Sequence, residues 1–238
     1  LRLPSKDIRP CRACYRCLTD RCPQEDDFEG VLEAILDADG LIVAVPSYIF
    51  GENATLKLFL DRGLHFYAVY RRLMKKPAIG IGVAGMRNGE GYTMLALRNF
   101  LLRLGADIKG MGLFYAALPG EILLDEENLK KAQSLASALF GEALEEKAWV
   151  KCTVCGGTGF DFLQPGIVSC LICGARFNAV YEKGSFSIKR IEDTGVDLFS
   201  LEKMEEHREW LLSMKERFLQ RRHELKEVTA KYRGGNFI

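Results

Sequence analysis

Leu41-Ile-Val-Ala-Val-Pro-Ser-Tyr-Ile-Phe-Gly51 begins with five consecutive apolar residues and runs into a turn bearing proline and glycine. An apolar run without alternation suits a parallel strand covered on both faces, because a strand with one wet face would alternate. Pro46 to Gly51 should end it, and Asn53 is a suitable N-cap for a helix from about Ala54 to Arg71. Downstream the same order returns. Ala78-Ile-Gly-Ile-Gly-Val83 reads as a second buried strand, Ala84 to Gly91 as a glycine-bearing loop, and Tyr92 to Leu104 as a helix. A strand near Ile108 to Tyr115 follows, Pro119-Gly120 breaks the chain, and Asp125 caps a helix expected to reach about Lys147. Upstream, Asp26-Asp27 opens a helix with Phe28, Val31, Leu32, Ile35 and Leu36 on one face, ended near Gly40. Leu1-Arg2-Leu3 reads as the tail of a strand. Strand, loop and helix repeated with short links predict an α/β domain with a parallel sheet.

Ahead of the first helix stands Cys11-Arg-Ala-Cys14-Tyr-Arg-Cys17-Leu-Thr-Asp-Arg-Cys22-Pro23, four cysteines within twelve residues at spacing C-x2-C-x2-C-x4-C. Two-residue gaps let successive thiolates turn around one centre, and the longer last gap lets the fourth close the cage. Iron–sulfur clusters are held by such tight runs, and the bacterial ferredoxin run C-x2-C-x2-C-x3-C-P differs by one residue. A tetrahedral zinc ion more often draws on two separated pairs. A 4Fe–4S cluster is therefore the expected occupant, with zinc, or disulfides and free thiols, as the alternatives.

The 238 residues suffice for one sizeable domain and a small one. The net charge of +1 supplies no global field to recruit nucleic acid or an anionic membrane, and neither is expected as a partner. The eight cysteines fall into two sets of four, a grouping that suits metal ligation in a reducing cytoplasm better than a secreted disulfide framework. No apolar run approaches a membrane span and no signal peptide is visible, so a cytoplasmic location is expected.

The cysteine loop, the acidic helix start, Asp39-Gly-Leu-Ile-Val-Ala-Val-Pro-Ser-Tyr48 and Leu56-Lys-Leu-Phe-Leu-Asp-Arg62 resemble together the iron–sulfur flavoproteins of the NAD(P)H-dependent FMN reductase superfamily. Gly85-Met-Arg-Asn-Gly-Glu-Gly-Tyr-Thr93 is similar to that family's second flavin loop, and the resemblance covers about residues 1 to 145. It implies a flavodoxin-like fold with FMN at the carboxyl ends of the strands, where open α/β sheets place ligands. By position, Pro46, Ser47, Tyr48, Phe50, Gly51 and Asn53 would border the isoalloxazine and ribityl chain. Ala84, Gly85, Met86, Arg87, Gly89 and Glu90 would lie against the other side of the ring. On the residues alone, Pro-Ser-Tyr and the glycines also read as plain turn formers after buried strands. The family begins with a central strand and a Ser/Gly-rich phosphate loop, and neither precedes Leu1 here. That element is expected upstream of Leu1 or from another chain, and Leu1 to Leu3 should not pair directly with Leu41 to Val45.

Near Trp149 the character changes. Cys152-Thr-Val-Cys155-Gly156 and Cys170-Leu-Ile-Cys173-Gly174 are two C-x2-C-G knuckles separated by fourteen residues, which points to one tetrahedral four-cysteine site. They resemble a zinc ribbon and, less closely, rubredoxin; zinc is the expected ion and rubredoxin-type iron the alternative. The expected division is a flavodoxin-like FMN/iron–sulfur domain over 1–148, a metal ribbon over 149–195 and a C-terminal helix over 196–238. In that helix Met204, Leu211, Phe218, Leu225 and Tyr232 recur every seven residues, with Gly234-Gly235 as the stop. The helix is expected to pack on its own or a neighbouring subunit's domain. His65, His207 and His223 lie far from the cysteine motifs in sequence and carry no assigned chemistry.

The reading is an oxidoreductase that passes electrons between a 4Fe–4S cluster and FMN, with ferredoxin or NAD(P)H as donor and a homo-oligomer as the assembly. No catalytic acid or base is assigned; Glu90 is a loop carboxylate beside the expected ring. The alternatives are a non-catalytic electron-transfer or scaffold subunit of a larger redox complex, and a redox sensor whose cluster gates partner binding.

Overall fold

The computed structural model describes residues 1–145, 148–192, 194–196 and 200–230. The parallel strands are β1 (Leu41–Tyr48), β3 (Pro77–Ala84) and β4 (Asp107–Tyr115), joined by a two-residue strand β2 (Gly51–Glu52) that folds back on β1. The order is β2-β1-β3-β4, with Leu41 to Pro46 of β1 in register against Ala78 to Val83 of β3. Helices α1 (Phe28–Asp37), α2 (Ala54–Asp61), α3 (Phe66–Leu73), α4 (Thr93–Arg103) and α5 (Glu126–Ala138) complete this part. Its main core gathers Phe28, Phe59, Phe66, Leu97 and Leu101, each 2 % exposed or less.

Both expected caps form. Asn53 accepts the Leu56 amide at 3.3 Å and Asp125 the Glu127 amide at 2.9 Å. Three expectations are corrected. Leu1 to Leu3 is not a strand; Leu3–Ser5 is a 3-10 turn with a proline inside it. The helix after Asn53 breaks at Arg62, where a 3-10 turn over Gly63–His65 separates α2 from α3. The break releases Arg62 from the helix face and lets it turn toward the cysteine loop, as described below. Helix α5 ends at Ala138 instead of near residue 147, because Gly141 is a poor helix former and the chain swings back, the Leu144 amide donating to the Lys109 carbonyl at 2.7 Å.

Leu1 to Leu3 and Leu41 to Val45 do not pair. Between them, along the open edge of β1, runs a groove of about 640 Å³ lined by Leu1, Leu3, Val31, Leu41, Val43 and Phe59, reaching Tyr48 and Asn53 at the carboxyl end. Pro46 fits a strand with such an edge, because it has no amide to contribute to a ladder.

The glycine-rich stretch after Trp149 folds as an antiparallel sheet of β5 (Phe160–Gln164), β6 (Ile167–Cys170), β7 (Arg176–Glu182) and β8 (Ser185–Arg190), in that order. It leans on α4, with Leu102 against its core and Arg103 Nη2 3.4 Å from the Ile172 carbonyl. The terminal helix is two helices, α6 (Leu201–Gln220) and α7 (Arg222–Ala230), interrupted at Arg221. Met204 and Leu211 are buried, while Phe218 and Leu225 further along the stripe are exposed. Tyr232, Gly234 and Gly235 lie outside the described residues. Among the described residues no helix is long and apolar enough to cross a membrane.

Candidate functional site

The first cysteine loop is wound by two residues at positive φ, Ala13 (48°) and Tyr15 (61°), which turn successive thiols toward one side. Its ends are tied by the acidic start of α1. Asp27 Oδ2 accepts the Asp7 amide and Asp26 Oδ2 the Arg9 amide, both at 2.9 Å, and Gln24 donates to the Pro10 carbonyl at 3.1 Å. Cys11, Cys14, Cys17 and Cys22 line one cavity with Gln24, Arg62, Leu64 and His65. The far side of the loop is held by α6: Arg208 forks both its Nε (2.9 Å) and Nη2 (2.6 Å) onto the Leu18 carbonyl.

Electrostatics in this cavity favour a cationic occupant. Burial, with the neighbouring thiols of Cys22, Cys11 and Cys14, pushes Cys17 up to about 11, so its thiolate is disfavoured unless positive charge stands beside it. Arg62 is 3 % exposed. Burial would lower its pKa, but hydrogen bonding to Asp26 outweighs that and holds it above its ordinary value. Asp26 is kept below the usual carboxylate range: burial opposes this, and the Arg62 hydrogen bond with the Arg9 and Phe28 amides prevails. His65, left without a role on sequence distance, is a wall of this cavity; it is buried, its Nδ1 lies 3.4 Å from Glu29 Oε1, and burial lowers its pKa.

Sulfur spacing separates the two cysteine sets. A single ion with metal–sulfur bonds of about 2.3 Å sets its sulfurs about 3.8 Å apart. The sulfurs of Cys152, Cys155, Cys170 and Cys173 all lie within 4.8 Å of one another, with Cys152–Cys173 and Cys155–Cys170 each at 3.5 Å. The sulfurs of Cys11, Cys14, Cys17 and Cys22 are not gathered in this way; they line a small enclosed cavity of about 10 Å³. The second cage is built from twin knuckles. The Gly156 amide donates to the Cys152 carbonyl at 2.8 Å and the Gly174 amide to the Cys170 carbonyl at 2.9 Å, both glycines at positive φ. Cys155 and Cys170 share a hydrogen bond between their sulfurs, which drives their two pKa values apart; a bound cation would replace that shared proton.

The two loops expected to flank a flavin meet at the carboxyl ends of β1 and β3. Pro46, Ser47 and Tyr48 close β1, Phe50 and Gly51 form its turn, and Asn53 caps α2. Ala84 closes β3, and Gly85, Met86, Arg87, Gly89 and Glu90 follow in the loop. Ser47 Oγ donates to the Gly89 carbonyl at 2.9 Å, and the Tyr92 amide to the Phe50 carbonyl at 2.8 Å. Glu90 is not simply solvated: the Tyr115 hydroxyl donates to its Oε2 at 3.1 Å, and Arg87 lies 5.2 Å from the Tyr115 ring centre. Burial and this hydrogen bond raise the Tyr115 pKa.

Two observations suit a planar, partly apolar ligand here. Tyr48, Ile49, Phe50, Met86 and Tyr92 are all more than half exposed, an apolar cluster of the kind that marks a binding surface. Ile49 and Phe50 both have positive φ (50° and 63°), which is rare for a β-branched residue and typical of strain kept at functional sites. Nearby, Oε2 of Glu52 and Oγ1 of Thr93 are buried without a hydrogen-bond partner. Tyr92 and Tyr115 escaped the sequence reading, the first because it stood in the quoted loop as a helix start, the second because nothing local marks the end of β4.

The brace from α6 carries a direct expectation. Arg208→Ala leaves the buried Leu18 carbonyl without its two donors, at a cost of about 1–3 kcal/mol. Tryptic cutting at Arg12, Arg16 and Arg21 should begin at lower temperature in the variant than in wild type. An unchanged onset would mean that the loop holds itself.

Comparison with known proteins agrees with this architecture. Residues 1–117 match the family model described as NADPH-dependent FMN reductase. An iron–sulfur flavoprotein of Methanocaldococcus jannaschii is 29 % identical over 143 residues, which cover 56 % of this chain and 74 % of that protein. Bacillus subtilis YwqN, whose name proposes an NAD(P)H-dependent FMN-containing oxidoreductase, is 31 % identical over 140 residues, 56 % of this chain and 74 % of YwqN. A solved flavone reductase superposes with a TM-score of 0.71 at 18 % identity, covering 100 % of this chain and 86 % of that one, which speaks to the fold. The open parallel sheet with its loops at the carboxyl edge, the matched residues and the relation to YwqN together establish that the chain belongs to the NADPH-dependent FMN reductase family, a family of flavin oxidoreductases.

Proposed function

We propose that the chain is an oxidoreductase that joins FMN at the β1 and β3 loops to a 4Fe–4S cluster on Cys11, Cys14, Cys17 and Cys22, with structural zinc in the second cage. The observation that carries this reading is the pair of unlike cysteine sites: one gathers four sulfurs for a single ion, while the other brings the compact run Cys11, Cys14, Cys17 and Cys22 to one cavity beside Arg62. A flavin exchanges one or two electrons and a cluster one, so the pair can turn a two-electron donor into single electrons.

The residues of this chain have defined tasks in that scheme. Tyr48, Phe50 and Met86 offer apolar and aromatic surface to the ring, and Ser47 keeps the two loops in contact. The Tyr115 hydroxyl donates to Glu90 and fixes that carboxylate at the loop. Arg12, Arg16 and Arg21 are exposed around the cysteine loop, which favours an anionic partner such as ferredoxin; NAD(P)H is the other donor to be considered. The residues lining the cysteine cavity and those of the flavin loops have no member in common, so transfer between them spans part of the domain or a subunit boundary in a homo-oligomer.

Anaerobic stopped-flow with reduced ferredoxin, following cluster bleaching and flavin reduction separately, tests the order of events. Wild type should bleach its cluster first, and flavin reduction in Cys14→Ser protein should slow by tenfold or more. If the variant retains its flavin and is reduced as fast as wild type, the cluster is not the entry point for electrons.

A further inference from the structure

We infer that Arg62 is a positioning residue for the first cysteine cage, donating from Nη2 to Cys22 Sγ and raising the reduction potential of the cluster that this sulfur ligates. The inference rests on the reading of Cys11, Cys14, Cys17 and Cys22 as cluster ligands.

Both Nη nitrogens of this guanidinium are committed. Nη1 donates to Asp26 Oδ2 at 2.6 Å and to the Arg9 carbonyl at 3.0 Å. Nη2 lies 3.1 Å from Cys22 Sγ, and the Phe28 ring lies under the guanidinium carbon at 4.4 Å from its centre. A buried guanidinium is costly unless its donors are taken, and here a carboxylate, a carbonyl and a sulfur take them. Both Nη nitrogens reach the Asp26 carboxylate, Nη1 to Oδ2 at 2.6 Å and Nη2 to Oδ1 at 3.4 Å, and Nη2 divides between that oxygen and Cys22 Sγ, which at 3.1 Å is the nearer. Asp26 is itself fixed by the Arg9 and Phe28 amides, so the fork cannot rotate away.

The sign of the effect follows from charge. One-electron reduction makes a cluster and its thiolates more negative, and hydrogen bonds to the sulfurs stabilise that state. The Asp26–Arg62 pair is net neutral, so its long-range field largely cancels. What remains is the short contact from Nη2 to sulfur, which depends on the planar fork and which lysine does not reproduce.

The test uses the full chain with its cluster reconstituted anaerobically, its midpoint potential followed by EPR-monitored redox titration. Arg62→Lys keeps the charge beside Asp26; Arg62→Gln combined with Asp26→Asn removes both buried charges together. In each variant with full iron and sulfide, the one-electron equilibrium should shift about tenfold toward the oxidised form, ~59 mV to lower potential. Zinc content should stay unchanged. Should the double variant not hold its iron, Arg62→Lys and a second measurement decide. Protein labelled with 15N-arginine should show a weak nitrogen coupling to the reduced cluster by HYSCORE, absent in Arg62→Lys. Equal potentials at full iron loading, or no arginine coupling in wild type, overturn the role of Arg62 and leave the cluster reading intact. Wild type that binds no iron and sulfide overturns the cluster reading itself.

Discussion

Cys14→Ser protein should contain no iron and no acid-labile sulfide while keeping one zinc per chain, and Cys155→Ser protein should show the reverse. The two cages are anchored differently. The first is tied to α1, to Arg62 and to α6, beside a core of Phe28, Phe59 and Leu101 that needs no metal to stay buried. The second is itself most of a core. Of the seven fully buried residues under β5 to β8, four are Cys152, Cys155, Cys170 and Cys173, and the others are Val168, Ala175 and Phe177. So small a core cannot offset the entropy of ordering its strands, and a structural zinc site contributes about 10–16 kcal/mol in comparable small domains. Cys155→Ser should therefore unfold β5 to β8, seen as fast tryptic cutting at Arg176 and Lys189 in a chain whose first 145 residues remain protected. Iron, sulfide and zinc per chain, measured on both variants, check the claim; loss of both metals from either variant while it remains folded would show that the cages are not independent.

Gly91→Ala should separate the flavin loops. A Cβ at position 91 would stand 2.0 Å from the Phe50 carbonyl oxygen, and the backbone there has φ +49°. Positive φ alone costs about 1–2 kcal/mol for alanine. The collision adds to that, since it is with backbone and not with a side chain that can swing aside. Relief requires breaking the bond from the Tyr92 amide to the Phe50 carbonyl, which joins the two loops. Gly120→Ala supplies the comparison, because Gly120 also has positive φ (80°) but nothing within 4 Å of its Cβ position. FMN affinity should fall at least tenfold in Gly91→Ala and stay near wild type in Gly120→Ala, both measured by flavin fluorescence quenching. Comparable affinities in the two would show that the loops do not act together on the ring.

Much of the sheet was legible because it is written in long local patterns. Leu41 to Val45 and Ala78 to Val83 are apolar runs that few alternatives to a parallel strand can bury, and Asn53 and Asp125 cap helices through contacts two or three residues away. The cysteine sets were legible for the same reason, since ligand spacing is local chemistry. What was not legible depends on partners distant in sequence. Residues 54 to 71 read as one helix that could absorb a single glycine, Gly63, at about 1 kcal/mol, yet the helix yields at Arg62, whose side chain bonds Asp26, 36 residues earlier. His65 was set aside for its distance from the cysteines along the chain, and the same break in the helix brings it to their cavity wall. The stripe from Met204 to Leu225 is regular, but only its first half finds a surface. Periodicity describes a face, not what covers it.

The fork from Arg208 to the Leu18 carbonyl joins residues 190 apart, and this has a consequence in time. At about 5–20 residues per second, translation takes roughly 10–40 s to pass from one partner to the other. Over that interval the ribosome carries Cys11, Cys14, Cys17 and Cys22 on a loop whose C-terminal brace has not yet been made. Four reduced thiols close together are then open to oxidants and to stray metal ions, in a stretch that emerges well before its brace. The ribbon, by contrast, emerges with both knuckles within 22 residues of each other, counting Cys152 to Cys173, and can capture its ion as soon as it leaves the tunnel. The two centres of one polypeptide would thus mature in the opposite order to their synthesis, the second cage closing first and the first cage only when α6 folds back over it.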